Sequence, residues 1–309
     1  MTLQTLTGGG VLTTVQPGFV EQTNAEYHGG PGTSKSDLAL FARSPLHWWH
    51  AKRNPERETS SEQSAALLVG SACHAAVLEP DLFTAEYTSI PDDAPRRPTD
   101  RQVSAAKPSA DTLSAIAWWR DFEIANTGKE LLTADQFATA LAVRDAVQRH
   151  PIARTLFTGG RAEQSVHAID PETGEHIKCR FDYLGGMAVD LKTCEDASPE
   201  GFGRAAFNFS YYLQPPWYFD VMAAAFGEAP PWWVFVAVEK KPPYAIGIYY
   251  ATPDQIYLGR RQARQLFKRL VAAKRLDQWP SYSDHEVREL ELPAWGLKQI
   301  ENSLSSNPE

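Results

Sequence analysis

Residues 177–192, with the sequence IKCRFDYLGGMAVDLK, constrain the fold more than any other stretch of this chain. Apolar and polar side chains alternate on both sides of Gly185-Gly186. This alternation has the period of a half-buried β-strand. The segment therefore predicts two short strands that are joined in a hairpin.

The length of the hairpin loop decides where two aspartates lie. A two-residue loop would place Asp182 and Asp190 on opposite faces of the hairpin. A three-residue loop, 185–187, would pair Leu184 with Ala188 and place the two aspartates opposite each other. It would also gather four apolar side chains on one face, namely Phe181, Tyr183, Val189 and Leu191. We predict the three-residue loop, because burial of an apolar face selects one register.

This register predicts a polar face that carries Asp182, Asp190 and Lys192. Two carboxylates at close range repel each other unless a positive charge lies between them, and a divalent cation is the natural candidate. A cation held there could activate water for attack on a phosphodiester. The lysine could orient or help deprotonate that water, or stabilise developing negative charge.

Composition narrows the class of protein. The net charge of −8 argues against a general nucleic-acid coat protein, although local basic surface could still bind DNA. No run of roughly 18 apolar residues predicts a membrane span, and residues 1–19 lack the pattern of a secretory signal. The three cysteines, Cys73, Cys179 and Cys194, form no metal-binding spacing and suggest a reducing compartment. We therefore expect a cytoplasmic protein that has no membrane partner.

Periodicity and capping signals predict an α/β fold with a central mixed sheet flanked by helices. The predicted strands of the sheet are 163–169, 177–184, 187–192, 231–240 and 244–251. The predicted flanking helices are 64–79, 133–149, about 215–226 and 252–276. Residues 1–32 form an N-terminal extension with loop or a weak strand, residues 33–285 a single domain elaborated at 91–130, and residues 286–309 a C-terminal tail.

Several polar residues on predicted helices have two open interpretations. His74 lies in an apolar helix and is either a satisfied core residue or a ligand. The basic residues are either a solvated surface or contacts to DNA phosphates. The candidate DNA contacts are Ser36, Arg43, Lys52, Arg53, Arg260, Arg264 and Lys268.

Motifs in a fixed order resemble the PD-(D/E)XK nuclease superfamily. The likeness extends to its RecE-type (exonuclease VIII) branch, which is related to lambda exonuclease and the RecB nuclease domain. The motifs are Ser34-Lys-Ser-Asp37 with Ser44-Pro45, Gly70-Ser-Ala-Cys-His74 through Glu79-Pro80, Cys179-Arg-Phe-Asp182, Val189-Asp190-Leu-Lys192-Thr193, and Gln214 with Tyr218. Together they span residues 33 to about 222.

The resemblance implies a role for each matching residue. The metal ligands would be His74, Asp182, Asp190 and the carbonyl of Leu191. Lys192 would be the catalytic lysine, and Gln214 and Tyr218 would line the site. Glu79 follows the Leu-Glu-Pro pattern, but its angle on the helix speaks against direct contact with the metal. The implied metal is Mg²⁺, for which Mn²⁺ would substitute.

One departure from the family pattern lies between Gln214 and Tyr218, where Pro215-Pro216 interrupts the sequence. Proline costs about 3 kcal/mol inside a helix but is tolerated in its first turn. We therefore predict a helix that begins at about Pro215, with Gln214 near its N-cap. The alternative is a helix that is broken at this point.

The resemblance further implies a Mg²⁺-dependent exonuclease that digests ends of double-stranded DNA from 5′ to 3′. It would leave 3′ single-stranded tails for a RecT-like annealing protein in phage-type recombination. It would also form a homo-oligomeric ring, a trimer or tetramer, around DNA. Two alternatives stay open, namely a structure-specific or single-strand nuclease, and a catalytically silent DNA-binding or assembly protein on this fold.

Overall fold

A six-stranded mixed sheet forms the centre of the fold in a computed structural model, which describes residues 3–6, 12–56, 65–284 and 286–305. The strands of these residues are β1 (Leu3–Leu6), β2 (Leu12–Val15), β3 (Gly18–Val20), β4 (Tyr87–Ser89), β5 (Glu130–Leu132), β6 (Arg161–Ile169), β7 (His176–Leu184), β8 (Ala188–Cys194), β9 (Trp233–Glu239) and β10 (Ile246–Tyr250). The sheet has the order β10-β9-β8-β7-β6-β3. Its β8–β9 pair is parallel and its other pairs are antiparallel. Strands β1 and β2 form a separate antiparallel pair, and β4 and β5 a parallel pair.

Helices cover both faces of the central sheet. They are α1 (Asn24–Gly29), α2 (Lys35–Arg43), α3 (Pro45–Lys52), α4 (Ala65–Leu78), α5 (Pro80–Glu86), α6 (Asp100–Val103), α7 (Ala110–Ala125), α8 (Ala134–Arg149), α9 (Ala153–Leu156), α10 (Pro199–Asn208), α11 (Gln214–Phe226), α12 (Pro253–Leu276) and α13 (Ala294–Ser305), with a 3-10 turn at Tyr211–Leu213. Among the described residues, none of these helices has both the length and the apolarity needed to cross a bilayer.

The predicted α/β fold with a mixed sheet and flanking helices is confirmed. The sheet contains one strand more than predicted, because Gly18–Val20 pairs with Ser165–His167 at the edge. This strand lies in the predicted N-terminal extension, where loop or a weak strand was expected. The predicted elaboration at 91–130 contains the helices α6 and α7. The boundary at residues 32 and 33 stays a prediction.

The hairpin at the centre of the sheet has the predicted register. Leu184 pairs with Ala188 and Tyr183 with Val189, so the loop is the three-residue segment 185–187. The N–H of Gly185 donates to the carbonyl of Met187 at 3.0 Å and closes this loop. The prediction that Met187 belongs to the loop is confirmed.

The predicted single apolar face of the hairpin is wrong. Phe181 packs in a first core, where its ring lies edge-on to Tyr218 at 5.0 Å. Tyr183, Val189 and Leu191 pack in a second core on the other side. The reason is that β7 changes face between Phe181 and Tyr183. Both sides accept apolar side chains, because helices bury both faces of the sheet.

Helix α11 begins at Gln214 and keeps its two prolines in the first turn, as predicted. The 3-10 turn Tyr211–Leu213 leads directly into it, so the helix is not broken by Pro215-Pro216. Helix α12 packs closely against the junction between the 3-10 turn and α11. A Cβ atom on Gly259 would lie 2.5 Å from the carbonyl oxygen of Tyr212, so only glycine permits this approach.

Polar contacts fasten the segment before α2 to one end of the sheet. The ammonium of Lys178 is buried and donates to the carbonyls of Tyr27 and Gly30. Beside it, His167 Nδ1 lies 2.9 Å from His176 Nε2. A Cβ atom on Gly32 would come within 3.1 Å of the His176 ring, which shows how closely the segment covers the pair.

Exchanging both histidines for glutamine is expected to reduce the loss of stability at acidic pH. Burial, followed by neighbouring positive groups, lowers the pKa of His167 to about 4 and that of His176 to about 3. The unfolded chain therefore binds more protons than the folded chain as pH falls from 6.5 to about 4, and stability falls through this window. Each histidine is expected to cost about 1 kcal/mol between pH 7.5 and 5.5.

Urea unfolding at pH 7.5 and 5.5 measures this effect. The wild-type protein should lose more stability than the His167→Gln/His176→Gln variant. His50→Gln, a change at an exposed position, should behave as wild type. Equal losses for wild type and the double variant would show that the pair does not govern the acid response.

Candidate metal centre

The centre lies where β7 and β8 separate. Their last backbone pair is Tyr183 with Val189, and Asp182 and Asp190 are the next residues beyond this pair. Beyond that point the N–H of Leu191 donates to Asp182 Oδ2 at 2.9 Å. The carboxylate thus replaces a backbone carbonyl as acceptor and holds its side chain between the strands.

Helix α4 places His74 against this carboxylate. His74 Nδ1 lies 3.6 Å from Asp182 Oδ2. Burial, followed by the charge of Lys192, lowers the pKa of His74 to about 4, against opposing contributions from Asp190 and the backbone of Leu191. The imidazole is therefore neutral at pH 7, which is the form that binds metal ions.

Glu163 completes a cluster that the sequence did not predict. One ligand atom each from His74, Glu163 and Asp182 lies within 4.8 Å of the others. Ala162 pairs with Tyr183 and Gln164 with Phe181, so the constant register places Glu163 of β6 opposite Asp182 of β7, although these two residues form no regular backbone pair. The φ of 50° at Glu163 is left-handed, which non-glycine residues seldom adopt.

The surroundings of Glu163 act on the charge of its carboxyl group in two opposite ways. Arg180 Nε donates to Glu163 Oε2 at 2.5 Å. Burial, followed by the Asp182 carboxylate, nevertheless raises the pKa of Glu163 to about 7. A buried carboxylate pair whose charge Arg180 only partly offsets is suited to a divalent cation.

Asp190 lies beside the cluster and faces two other partners. It is 1% exposed, and Gln214 Nε2 donates to its Oδ1 while Lys192 Nζ contacts its Oδ2. Burial, followed by Asp182, raises the pKa of Asp190 to about 6. The structure therefore groups Glu163, not Asp190, with His74 and Asp182. Of the two Asp190 oxygens, Oδ1 accepts from Gln214, whereas Oδ2 has the ion pair with Lys192 but no hydrogen-bond donor. A role of Asp190 or of the Leu191 carbonyl in binding metal stays a prediction.

Lys192 carries its charge in this environment. Burial lowers the pKa of Lys192, but Asp190 and Asp182 raise it more, so that it lies above its usual value. The ammonium also lies 5.2 Å from the centre of the Tyr211 ring. A charged lysine can stabilise negative charge on a phosphate, whereas it cannot accept a proton.

Two further predicted residues lie outside this contact network. Tyr218 is buried in the first core, where its ring is edge-on to Trp233 at 5.1 Å. Glu79 is half-buried at the start of α5, and it raises the pKa of Glu163 only as a minor contribution after burial and Asp182. Their proposed roles stay predictions.

The candidate DNA contacts are not gathered at the centre. Lys52 pairs with Asp37 and Arg53 with Asp277. On α12 the three basic residues face acids, with the pairs Arg260–Asp220, Arg264–Asp170, Arg264–Glu172 and Lys268–Glu172. Ser36 and Arg43 are exposed on α2. The α12 charges are thus compensated within the chain, and DNA contact by any of the seven residues stays a prediction.

Comparison with known proteins identifies the family of this chain. Residues 34–287 match the family described as a PDDEXK-like domain of unknown function, DUF3799. The chain belongs to this family. No curated protein shows significant similarity to the chain.

One solved structure resembles the fold across nearly its whole length. It is a crystal structure from Eubacterium rectale that bears the name "Putative exonuclease". The similarity covers 90% of this chain and 98% of that one, with a TM-score of 0.56 and 15% sequence identity. At this identity the likeness establishes a shared fold.

Exchanging Glu163 for glutamine is expected to weaken Mn²⁺ binding at least tenfold, because the cluster loses one of its two carboxylates. Asp182→Ala should weaken binding at least as much. Titration calorimetry measures both. Glu228→Gln, at an exposed position outside the cluster, is the matched control.

Circular dichroism should show that the Glu163→Gln variant is folded, since Arg180 keeps hydrogen bonds to Gln22 and Ser165. A folded variant that binds Mn²⁺ as wild type does would exclude Glu163 as a ligand.

Proposed function

We propose that the protein is a metal-dependent deoxyribonuclease that hydrolyses phosphodiester bonds. The observation that supports this proposal is the cluster of His74, Glu163 and Asp182 beside the Lys192–Asp190 pair. Membership in a PDDEXK-like family supports it independently. The name of the Eubacterium rectale protein is consistent with exonuclease activity.

The donor set fits Mg²⁺, with Mn²⁺ as a substitute. Two carboxylates and a neutral imidazole converge. Burial raises the pKa of both carboxyl groups, and the Asp182 carboxylate adds to the rise at Glu163. A bound divalent ion would lower the pKa of water and neutralise charge on the phosphate. His74, Glu163 and Asp182 would hold the ion.

The remaining residues act on the substrate. Lys192 would contact a non-bridging oxygen of the scissile phosphate and stabilise the charge that grows there. Gln214 positions Asp190, which in turn positions Lys192. In the reaction, a water oxygen bonds to phosphorus and the bond to the leaving oxygen breaks. The water loses one proton and the leaving oxygen gains one, so a phosphomonoester and a hydroxyl end are formed.

We extend the proposal, on the RecE-type resemblance, to an exonuclease that acts on ends of linear double-stranded DNA. Digestion would run from 5′ to 3′ and leave 3′ tails for a RecT-like annealing protein in phage-type recombination. The active form would be a trimeric or tetrameric ring in the bacterial cytoplasm. A single-strand or structure-specific nuclease of the same superfamily is the second candidate. The exposed ring of Phe209, which stacks on the Tyr211 ring that borders Lys192, favours it.

Digestion of linear duplex DNA with Mg²⁺ tests the function. Lys192→Ala is expected to lower the rate at least a hundredfold, because the lysine would stabilise charge in the transition state. Lys107→Ala, at an exposed position, should retain the wild-type rate. Equal rates for wild type and Lys192→Ala would show that Lys192 is not a catalytic residue.

The choice of substrate separates the two candidates. Duplexes labelled at the 5′ or 3′ end report the direction of digestion, and blunt, flapped and single-stranded DNA report the preferred end. Circular duplex of the same sequence should resist an exonuclease. If no DNA is degraded while Mn²⁺ still binds, the silent assembly protein is the better description.

A further inference from the structure

We propose that Lys35, Tyr211 and Phe209 form a subsite for an unpaired nucleotide beside the scissile bond. The base would stack on Phe209, and the adjoining phosphate would pair with Lys35. This inference rests on the proposed nuclease function and specifies which form of DNA that site accepts.

Lys35 is a second lysine at the catalytic centre. Its ammonium lies 5.4 Å from the centre of the Tyr211 ring, and Lys192 lies 5.2 Å from the same ring. Burial, followed by the charge of Lys192, lowers the pKa of Lys35 to about 8. One aromatic ring thus borders both cations.

Lys35 differs from Lys192 in its partners. Lys192 contacts the Asp190 carboxylate, whereas Lys35 donates to the backbone carbonyl of Phe209 at 3.0 Å. Within the described part of the chain, no carboxylate lies within 4.0 Å of the Lys35 ammonium. Asp190 is already engaged by Lys192 and Gln214, so the charge of Lys35 is offset only at longer range and can attract an anion. A phosphodiester supplies that anion.

The last turn of α10 and the residue after it carry exposed aromatic rings near this charge. Phe207 is 73% and Phe209 is 62% exposed, although both are large apolar residues. Each ring stacks on a tyrosine, with Phe209 5.7 Å from Tyr211 and Phe207 6.0 Å from Tyr212. The stacking fixes the rings and leaves much of their surface open.

The backbone of the turn adds to this positioning. Ser210 has a left-handed φ of 54° between the end of α10 and the 3-10 turn. This conformation is uncommon for serine, and it lies between Phe209 and Tyr211, whose rings stack. The carbonyl of Phe209 accepts from Lys35 of α2, so a hydrogen bond holds the ammonium at the turn that carries the exposed ring.

Aromatic rings beside a lysine are the elements of single-strand recognition. Bases stack on exposed rings irrespective of sequence, with about 1–3 kcal/mol per base, and basic groups follow the phosphates. In a fully paired duplex the faces of the inner bases are already stacked and are closed to Phe209. The subsite therefore favours a single strand, or an end whose last base pairs have opened.

Binding of fluorescent oligonucleotides in EDTA tests the subsite without cleavage. The probes are a single-stranded oligonucleotide and a duplex with a three-nucleotide unpaired end, each with 2-aminopurine near the end, and a blunt duplex. Phe209→Ala is expected to raise Kd for the first two at least fivefold and to abolish the quenching of 2-aminopurine that stacking causes. Phe209→Trp should restore both. Kd for the blunt duplex should change less than twofold.

Lys35→Gln should raise Kd at least threefold and reduce the dependence of Kd on salt, and Lys35→Arg should restore both. The matched control is Phe226→Ala, because this ring is also exposed but stacks on Phe19 at the sheet edge. It should bind all three probes as wild type does. Mn²⁺ calorimetry on each variant shows whether the metal centre is intact.

The outcomes separate the subsite from the nuclease. Wild-type Kd and quenching in the Phe209→Ala variant would overturn the subsite. So would a change in oligomeric state with unchanged DNA binding, since the rings would then be a protein interface. Loss of stacking in Phe209→Ala, in a protein that cleaves no DNA, would support the subsite and refute the nuclease.

Discussion

The hydrogen bond from the Leu191 N–H to the Asp182 carboxylate determines the geometry of the centre. Neighbouring antiparallel strands normally satisfy their buried N–H groups with carbonyls of the partner strand. Here a side chain takes that place, so β7 and β8 can separate without leaving Leu191 unsatisfied. The same oxygen of Asp182 lies 3.6 Å from His74. The Asp182 carboxylate thus allows β7 and β8 to separate, and it lies in the space between them.

Charge balance makes the charged side chains of the centre depend on one another. Glu163, Asp182 and Asp190 bring three carboxyl groups into a buried space, against the cations Arg180 and Lys192. The raised pKa values of the three carboxyl groups, which follow first from burial, indicate that this compensation is incomplete. Removing one member would leave another with an uncompensated buried charge, which is more costly than the loss of a surface pair. Binding of a cation would act in the opposite sense and link stability to metal concentration.

The parts of the fold that follow from local pattern could be predicted. The alternation in 177–192 determined the hairpin register, and the first-turn tolerance of proline determined where α11 begins. Glu163 and Lys35 could not be found in this way. Glu163 reaches the centre because the strand register places it opposite Asp182, and Lys35 because α2 meets a turn more than 170 residues later in the chain. Both depend on long-range geometry that sequence spacing does not contain.

Strand β6 changes face at Glu163. Ala162 packs against the second core, whereas Val166 and Ala168, which have the same parity in sequence, pack in the first. Strand β7 changes face at the same level, because Tyr183 packs in the second core and Phe181 in the first. The two strands keep one register across this point, so a deletion in only one of them would slip every pair beyond it by one residue. Buried apolar groups would then face the opposite set of helices. The number of residues at this point is consequently fixed by the architecture of both layers, and a change in length that a surface loop would absorb would here disrupt the whole domain.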